Sequence, residues 1–160
     1  MSRHLQHELT YDAPPDAVAA MLADRAFREE VCDFMGVLRH TVTIAEVGDG
    51  MHVTIDQWQE TAGVPSFAKK FVGAETNIVQ REIWTTPELG DIHVTIPGKP
   101  GEMSGTARLT EREGGTVELV DMTIKVGIPL VGGKLEDFIA GMLLKALKAE
   151  NKVGRDYLSR

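Results

Sequence analysis

Apolar and polar residues alternate from the start of the chain. Over residues 3–11, Leu5, His7, Leu9 and Tyr11 share one face while His4, Gln6, Glu8 and Thr10 share the other, the period of a half-buried strand. Asp12-Ala13-Pro14-Pro15-Asp16 interrupts the pattern with prolines that suit only a first helical turn. Val18, Met21 and Leu22 then recur at helical spacing, and Phe27, Val31 and Phe34 predict a second short helix before Gly36. Period two returns over residues 38–47. An Asp-Gly hairpin signal at Asp49-Gly50 follows, and then a partner strand over 51–61. Residues 63–73 do not alternate cleanly; they predict one or two helical turns or a structured loop crossing the sheet. Strands are predicted over 77–85, 92–96, 103–113 and 116–126, separated by turn signals at 87–91, 97–101 and Gly114-Gly115. On the last of them Glu118, Val120, Met122, Ile124 and Val126 share one face.

From about residue 131 to 158 the period changes to that of a helix. Leu135, Phe138, Ile139, Met142, Ala146, Ala149 and Val153 form one stripe, flanked by Leu143 and Leu147. Asp137, Lys145, Lys148 and Lys152 lie on the polar side, with Glu136 nearby and Leu144 as an apolar intruder. Taken as about 25 helical residues at about 1.5 Å each, this element reaches ~37 Å. The order is therefore one strand, two short helices, some six further strands and one long helix. The predicted class is α+β, a six- to seven-stranded antiparallel sheet curved around the C-terminal helix. Such a sheet twists and curls, and one helix packed in its hollow covers the middle without filling the ends. A cavity is expected there.

Composition narrows the reading. With 160 residues, 42% hydrophobic and 26% charged, and neither a repeat nor a linker, a single domain over 1–160 is expected. Acids outnumber bases 24 to 17 and the net charge is −7, which disfavours nucleic acid as a partner. One cysteine, Cys32, excludes an intrachain disulfide and fits a reducing compartment. The first residues have no apolar signal region, and no run approaches the ~20 apolar residues that span a bilayer. A cytoplasmic protein without stable membrane insertion is expected, while the oligomeric state is left open.

Motifs for known chemistry fail on their spacing. The segment from Gly127 to Leu135 resembles a phosphate-binding loop, but in one register Gly133 takes the lysine position, and in the next Ile128 takes that of the first glycine. It reads instead as a turn into the last helix. Gly101-Glu102-Met103-Ser104-Gly105 places its serine one position too late for a nucleophile elbow. His4 and His7 lie on opposite strand faces, His40, His52 and His93 are scattered, and no metal set or cofactor is expected. Cys32 has no adjacent base and reads as a buried thiol. Asp56, Glu60, Glu82 and Asp121 fall within strands, where solvent-facing positions are the simplest reading. A carboxyl on the concave face would need a partner, with Arg81 and Arg108 as candidates. No catalytic residue is assigned. Aromatics are sparse at 6% against seven methionines. Trp58, Phe67, Phe71, Trp84, Met103, Met122, Phe138 and Met142 are the candidates for a ligand-lining wall, and His93 for orienting a ligand. Each also fits plain core packing. Phe67 and Phe71, four residues apart, would share a face of a helical lid.

Several of these segments together resemble a known family. Tyr11-Asp12-Ala13-Pro14-Pro15-Asp16-Ala17-Val18, followed by Asp24 and Phe27, is similar to the strand-to-helix opening of the START-like, or SRPBCC, superfamily with its birch-pollen-allergen-like helix-grip fold. Lys70-Phe71-Val72-Gly73, Gln80-Arg81-Glu82-Ile83-Trp84, Gly98-Lys99-Pro100-Gly101 with Gly105, and Ile128-Pro129-Leu130-Val131-Gly132-Gly133-Lys134-Leu135-Glu136 resemble one bacterial subfamily known as a domain of unknown function. The resemblance spans the chain and implies a helix-grip fold whose cavity takes a lipid-, sterol- or polyketide-like molecule. It brings no catalytic residues with it. Two alternatives stay open. One is a polyketide cyclase or dehydratase that uses a pocket acid or histidine. The other is an interaction module with no small ligand, which would use residues 63–73 or Leu144.

Overall fold

A computed structural model describes residues 2–61 and 63–160; Met1 and Ala62, which fall within the domain expected over 1–160, lie outside the described residues. The elements follow in the order β1 (Arg3–Tyr11), α1 (Pro15–Leu22), α2 (Arg25–Met35), β2 (Arg39–Val47), β3 (Gly50–Glu60) and α3 (Ser66–Lys69). They continue with β4 (Glu75–Thr86), β5 (Leu89–Thr95), β6 (Glu102–Arg112), β7 (Gly115–Lys125) and α4 (Gly132–Leu158). The strands form one curved antiparallel sheet of seven, in the order β1-β7-β6-β5-β4-β3-β2. Consecutive strands are neighbours from β2 to β7, and β1 closes the far edge beside β7.

Two hairpin turns sit one residue earlier than their glycines suggest. Between β2 and β3, Val47 pairs with Gly50, so the central residues are Gly48 and Asp49, with Gly48 at φ +59°. Between β6 and β7, Arg112 pairs with Gly115, and Glu113 and Gly114 both adopt positive φ, at 54° and 83°. That is the backbone of the turn whose twist matches a hairpin, and it requires positive φ at both central positions. Residues 63–73 supply only the four-residue α3.

Asp24 caps α2 by accepting from the Ala26 N–H at 2.9 Å, and it also accepts from the Tyr157 hydroxyl at 2.6 Å, tying the start of α2 to the end of α4. The Phe27 and Tyr157 rings meet edge to face at 5.5 Å. Along its other side, α4 sends Asn151 and Arg155 to the Thr10 carbonyl of β1. The long helix thus leans chiefly on β1, β7, α1 and α2. Its apolar stripe is wider than that contact, so Phe138, Ile139, Leu143 and Ala146 stay half-buried and Met142 is 43% exposed. Glu136, expected near the polar side, is buried instead and accepts from the Val126 N–H at 2.9 Å, holding the entry to the helix against the end of β7.

Candidate functional site

Because α4 rests on one edge of the sheet and on α1 and α2, the hollow above β3 to β6 is left uncovered. An open cavity of about 620 Å³ lies there. Its walls are Gln57 and Gln59 of β3, Ile78 and Gln80 of β4, Val94 of β5 and Met103 of β6, opposite the α4 face from Leu135 to Lys152. Val64, Ala68, Phe71 and Val72, in and around α3, form one end, and Phe34 and Met35 of α2 form the other. Among the described residues, Lys99 from the β5–β6 loop and Lys145, Lys148 and Lys152 from α4 stand on its rim, with Glu60 as the one acid.

A second chamber of about 80 Å³ adjoins it, sharing the wall formed by Met35, Gln57, Gln80, Val94, Leu143 and Ala146. Its far side is charged. Arg28 of α2 is 4% exposed and donates through Nη1 and Nη2 to the two Glu82 carboxylate oxygens at 2.8 and 2.9 Å, and through Nε to the Leu22 carbonyl at 2.8 Å. Trp84 Nε1 donates to Glu82 at 2.8 Å, and the Gln80 amide donates to it from the same strand face. The indole lies against Gly90 of β5, where a Cβ would meet ring atoms at 2.6 Å, so only glycine leaves the ring this position. Burial raises the Glu82 pKa, but the Arg28 charge and its hydrogen bonds, with those of Trp84 and Gln80, more than offset it and hold the carboxyl below its usual range. Arg28 loses by burial and gains more from Glu82, so its pKa is raised and it stays charged.

Glu118 of β7 and Glu150 of α4 line the same chamber without such support. Glu118 is 3% exposed, its cross-strand partners are Leu9 and Leu109, and its Oε1 has no hydrogen-bond partner among the described residues. Burial and then the nearby Glu150 push its pKa well above the usual carboxyl value. Glu150 is raised to about 7 by burial, with Arg28 opposing and Glu82 adding to the shift.

Of the residues singled out from sequence, Phe71, Met103, Phe138 and Met142 line the large cavity, and Trp84 and Met122 line the chamber. The other three line neither. Strand alternation sends Trp58 to the outer face of β3, where the Arg39 guanidinium stacks on it at 4.6 Å. Phe67 packs edge to face on Phe138 at 6.5 Å, and His93 lies exposed, 3.2 Å from Glu102. Among the strand acids, Asp121 is on the surface accepting from Gln6 and His4, and Asp56 accepts from Asn77 at 2.7 Å. Glu60 is on the cavity rim and Glu82 is buried, paired with Arg28 rather than with the exposed Arg81 or Arg108. Arg28, Glu118 and Glu150 were not singled out. Their signal was a charge among apolar neighbours in phase: Glu118 with Val120 and Met122, Arg28 beside Phe27 and four before Cys32, Glu150 three before Val153. Cys32 is buried, and burial raises its thiol to about 11. Among the described residues no His, Cys, Asp and Glu are grouped to hold a metal ion, and no helix is long and apolar enough to cross a membrane.

Comparison with known proteins places this geometry in a fold family. The model of a family described as a protein of unknown function (DUF2505) matches residues 6–158. Among solved structures, the Zhui aromatase/cyclase from Streptomyces sp. R1128 superposes with a TM-score of 0.70 at 18% identity, covering 100% of this chain and 95% of that one. Ara h 8.0201 superposes at 0.66 with 14% identity and complete coverage of both chains. Norcoclaurine synthase from Thalictrum flavum superposes at 0.61 with 16% identity, covering 96% of this chain and 86% of the other. No curated protein matches the sequence. These structural relatives are START-like helix-grip proteins, and this chain shares their fold.

Proposed function

We propose that this chain, which belongs to that family of proteins of unknown function (DUF2505), works as one ligand-binding unit that captures a hydrophobic or amphipathic small molecule between its sheet and α4. The observation that carries the reading is the mainly apolar cavity of about 620 Å³. Its volume falls within the ~300–1,000 Å³ of small-molecule sites. The walls are aliphatic side chains, Phe71, Phe138 and methionines, with a few amides and lysines at the margins, so an apolar body of lipid-, sterol- or polyketide-like shape is the occupant that fits. Methionine walls adapt to more than one outline. The test is titration with a neutral naphthylamine fluorophore, comparing the wild type with Ala149→Trp, which places an indole in the cavity. Binding by the wild type and a loss of about tenfold or more in a variant that still unfolds cooperatively support the reading. Equal binding by both proteins, or none by the wild type, overturns it.

Glu118 favours a second reading, acid–base chemistry of the polyketide cyclase or dehydratase kind. A carboxyl whose pKa burial raises well above the usual value is suited to donate a proton or hydrogen bond to a ligand oxygen that reaches the chamber beside the cavity. Two of the fold relatives are named as an aromatase/cyclase and a synthase, which supports small-molecule chemistry within this fold. This reading expects slow conversion of an aromatic polyketide-like test substrate and its loss in Glu118→Gln. Binding without conversion removes it.

A further inference from the structure

The chamber behind the cavity holds more negative groups than its one cation can match. Arg28 commits its Nε–H to the Leu22 carbonyl and one N–H of each terminal nitrogen to Glu82, and none of these three bonds reaches Glu118 or Glu150. Glu118 and Glu150 share the chamber wall, and the Glu118 Oε1 is buried without a hydrogen-bond partner among the described residues. A buried carboxylate oxygen left unpaired costs free energy that a donor entering the chamber would recover. The chamber holds about 80 Å³, room for several waters or a small polar head, and it shares one wall with the large cavity.

Resting on the reading of that cavity as a ligand site, we infer that its occupant is a cationic amphiphile: an apolar chain lying between the sheet and α4, with a protonated primary amine reaching into the chamber to pair with Glu118 and Glu150. An ammonium group supplies three donors and the positive charge that the cluster lacks. The groups that face it are Arg28 and Cys32 of α2, Glu82 of β4, Glu118 of β7 and Glu150 of α4, with Tyr11 of β1 close to both free carboxyls. Of these, only Glu118 and Glu150 have carboxyls uncommitted to a cation. The rim lysines Lys99, Lys145, Lys148 and Lys152 favour the opposite ligand charge. They are exposed, where water and salt screen them, whereas Glu118 is buried and Glu150 half-buried beside it, where a charge counts for more.

Ligand-free, the pair lowers its repulsion by holding protons. Binding an ammonium expels them, so affinity for the amine rises with pH while the amine, with a pKa of about 10, stays charged. Calorimetric titration with octylammonium, octanol and octanoate, at about pH 6 and about pH 8, tests this on the wild type and on Glu118→Gln. The expected result is octylammonium tightest by about tenfold or more, tighter at the higher pH with proton release into the buffer, and lowered to the level of octanol in the folded variant. Octanoate binding tightest would hand control to the rim lysines and overturn the inference. Equal binding of all three, or an amine preference that survives Glu118→Gln, would also overturn it while leaving the cavity reading intact. Failure of all three to bind would remove both.

Discussion

Arg28 and Glu82 form a buried pair joined by two hydrogen bonds, and Glu118 lines the same chamber with an Oε1 that has no hydrogen-bond partner among the described residues. The two cases respond oppositely to mutation and to pH. Removing one partner of the pair leaves the other charged and dry, so Arg28→Met is expected to destabilise the fold by about 3–5 kcal/mol. Arg28→Met combined with Glu82→Met should recover much of that loss; equilibrium urea unfolding measures both. Glu118→Gln keeps the shape and removes the surplus charge, and a gain of about 1 kcal/mol or more near pH 8 is expected. For Glu118 and Glu150 the folded pKa lies above the unfolded value of about 4.3, so the native state binds the extra protons. Their contribution is favourable at low pH and is lost as pH rises from there through the folded values, about 7 for Glu150. Glu82, held low, contributes above its unfolded pKa and loses that contribution as pH falls through its folded pKa. Urea midpoints between about pH 5 and pH 8 should fall in the wild type, and fall less in Glu118→Gln; parallel curves would refute the assignment.

Strands and helices were legible because each repeats its apolar residues with its own period. The pattern over residues 3–11 and 131–158 matches β1 and α4 to within a residue. Turns were less legible, because a glycine marks the neighbourhood of positive φ without saying which residue takes it. At the β6–β7 turn a glutamate shares that role. Residues 63–73 predict one or two helical turns or a structured loop without deciding between them, since the four residues of α3 bury too little of one face to show a period. At this scale Gly90 is the informative position. Gly90→Val would push the Trp84 indole off Glu82 and destabilise the fold, and the mutant should show red-shifted Trp84 emission when measured in a Trp58→Phe background. Unchanged emission would mean that the ring has other room. Leu130, non-glycine at φ +72° before α4, offers the reverse test. Leu130→Gly is expected to be neutral or stabilising by about 0.5–1 kcal/mol in thermal melts.

For the whole molecule, the position of one helix decides most. Resting on β1, β7, α1 and α2, α4 leaves the hollow over β3 to β6 open. The stripe that sequence patterning assigns to packing then divides, part covering the core and part lining a cavity. A ligand that fills this space binds only the folded state, so the melting temperature should rise with ligand concentration, by about 2.7 kcal/mol of added stability at a hundredfold excess over Kd. The Ala149→Trp protein should show no such rise. The sequence by itself determined the identity, order and inward faces of the elements, because periodicity is a local property of covalent neighbours. It also placed Glu82 within a strand, and Glu118 on the same strand face as Val120 and Met122. Only the tertiary structure decided that Glu82 meets Arg28 from 54 positions away and that the Glu118 Oε1 is buried with no hydrogen-bond partner among the described residues. Which charges are paired depends on how α2, β4, β7 and α4 converge, and no local period encodes that convergence.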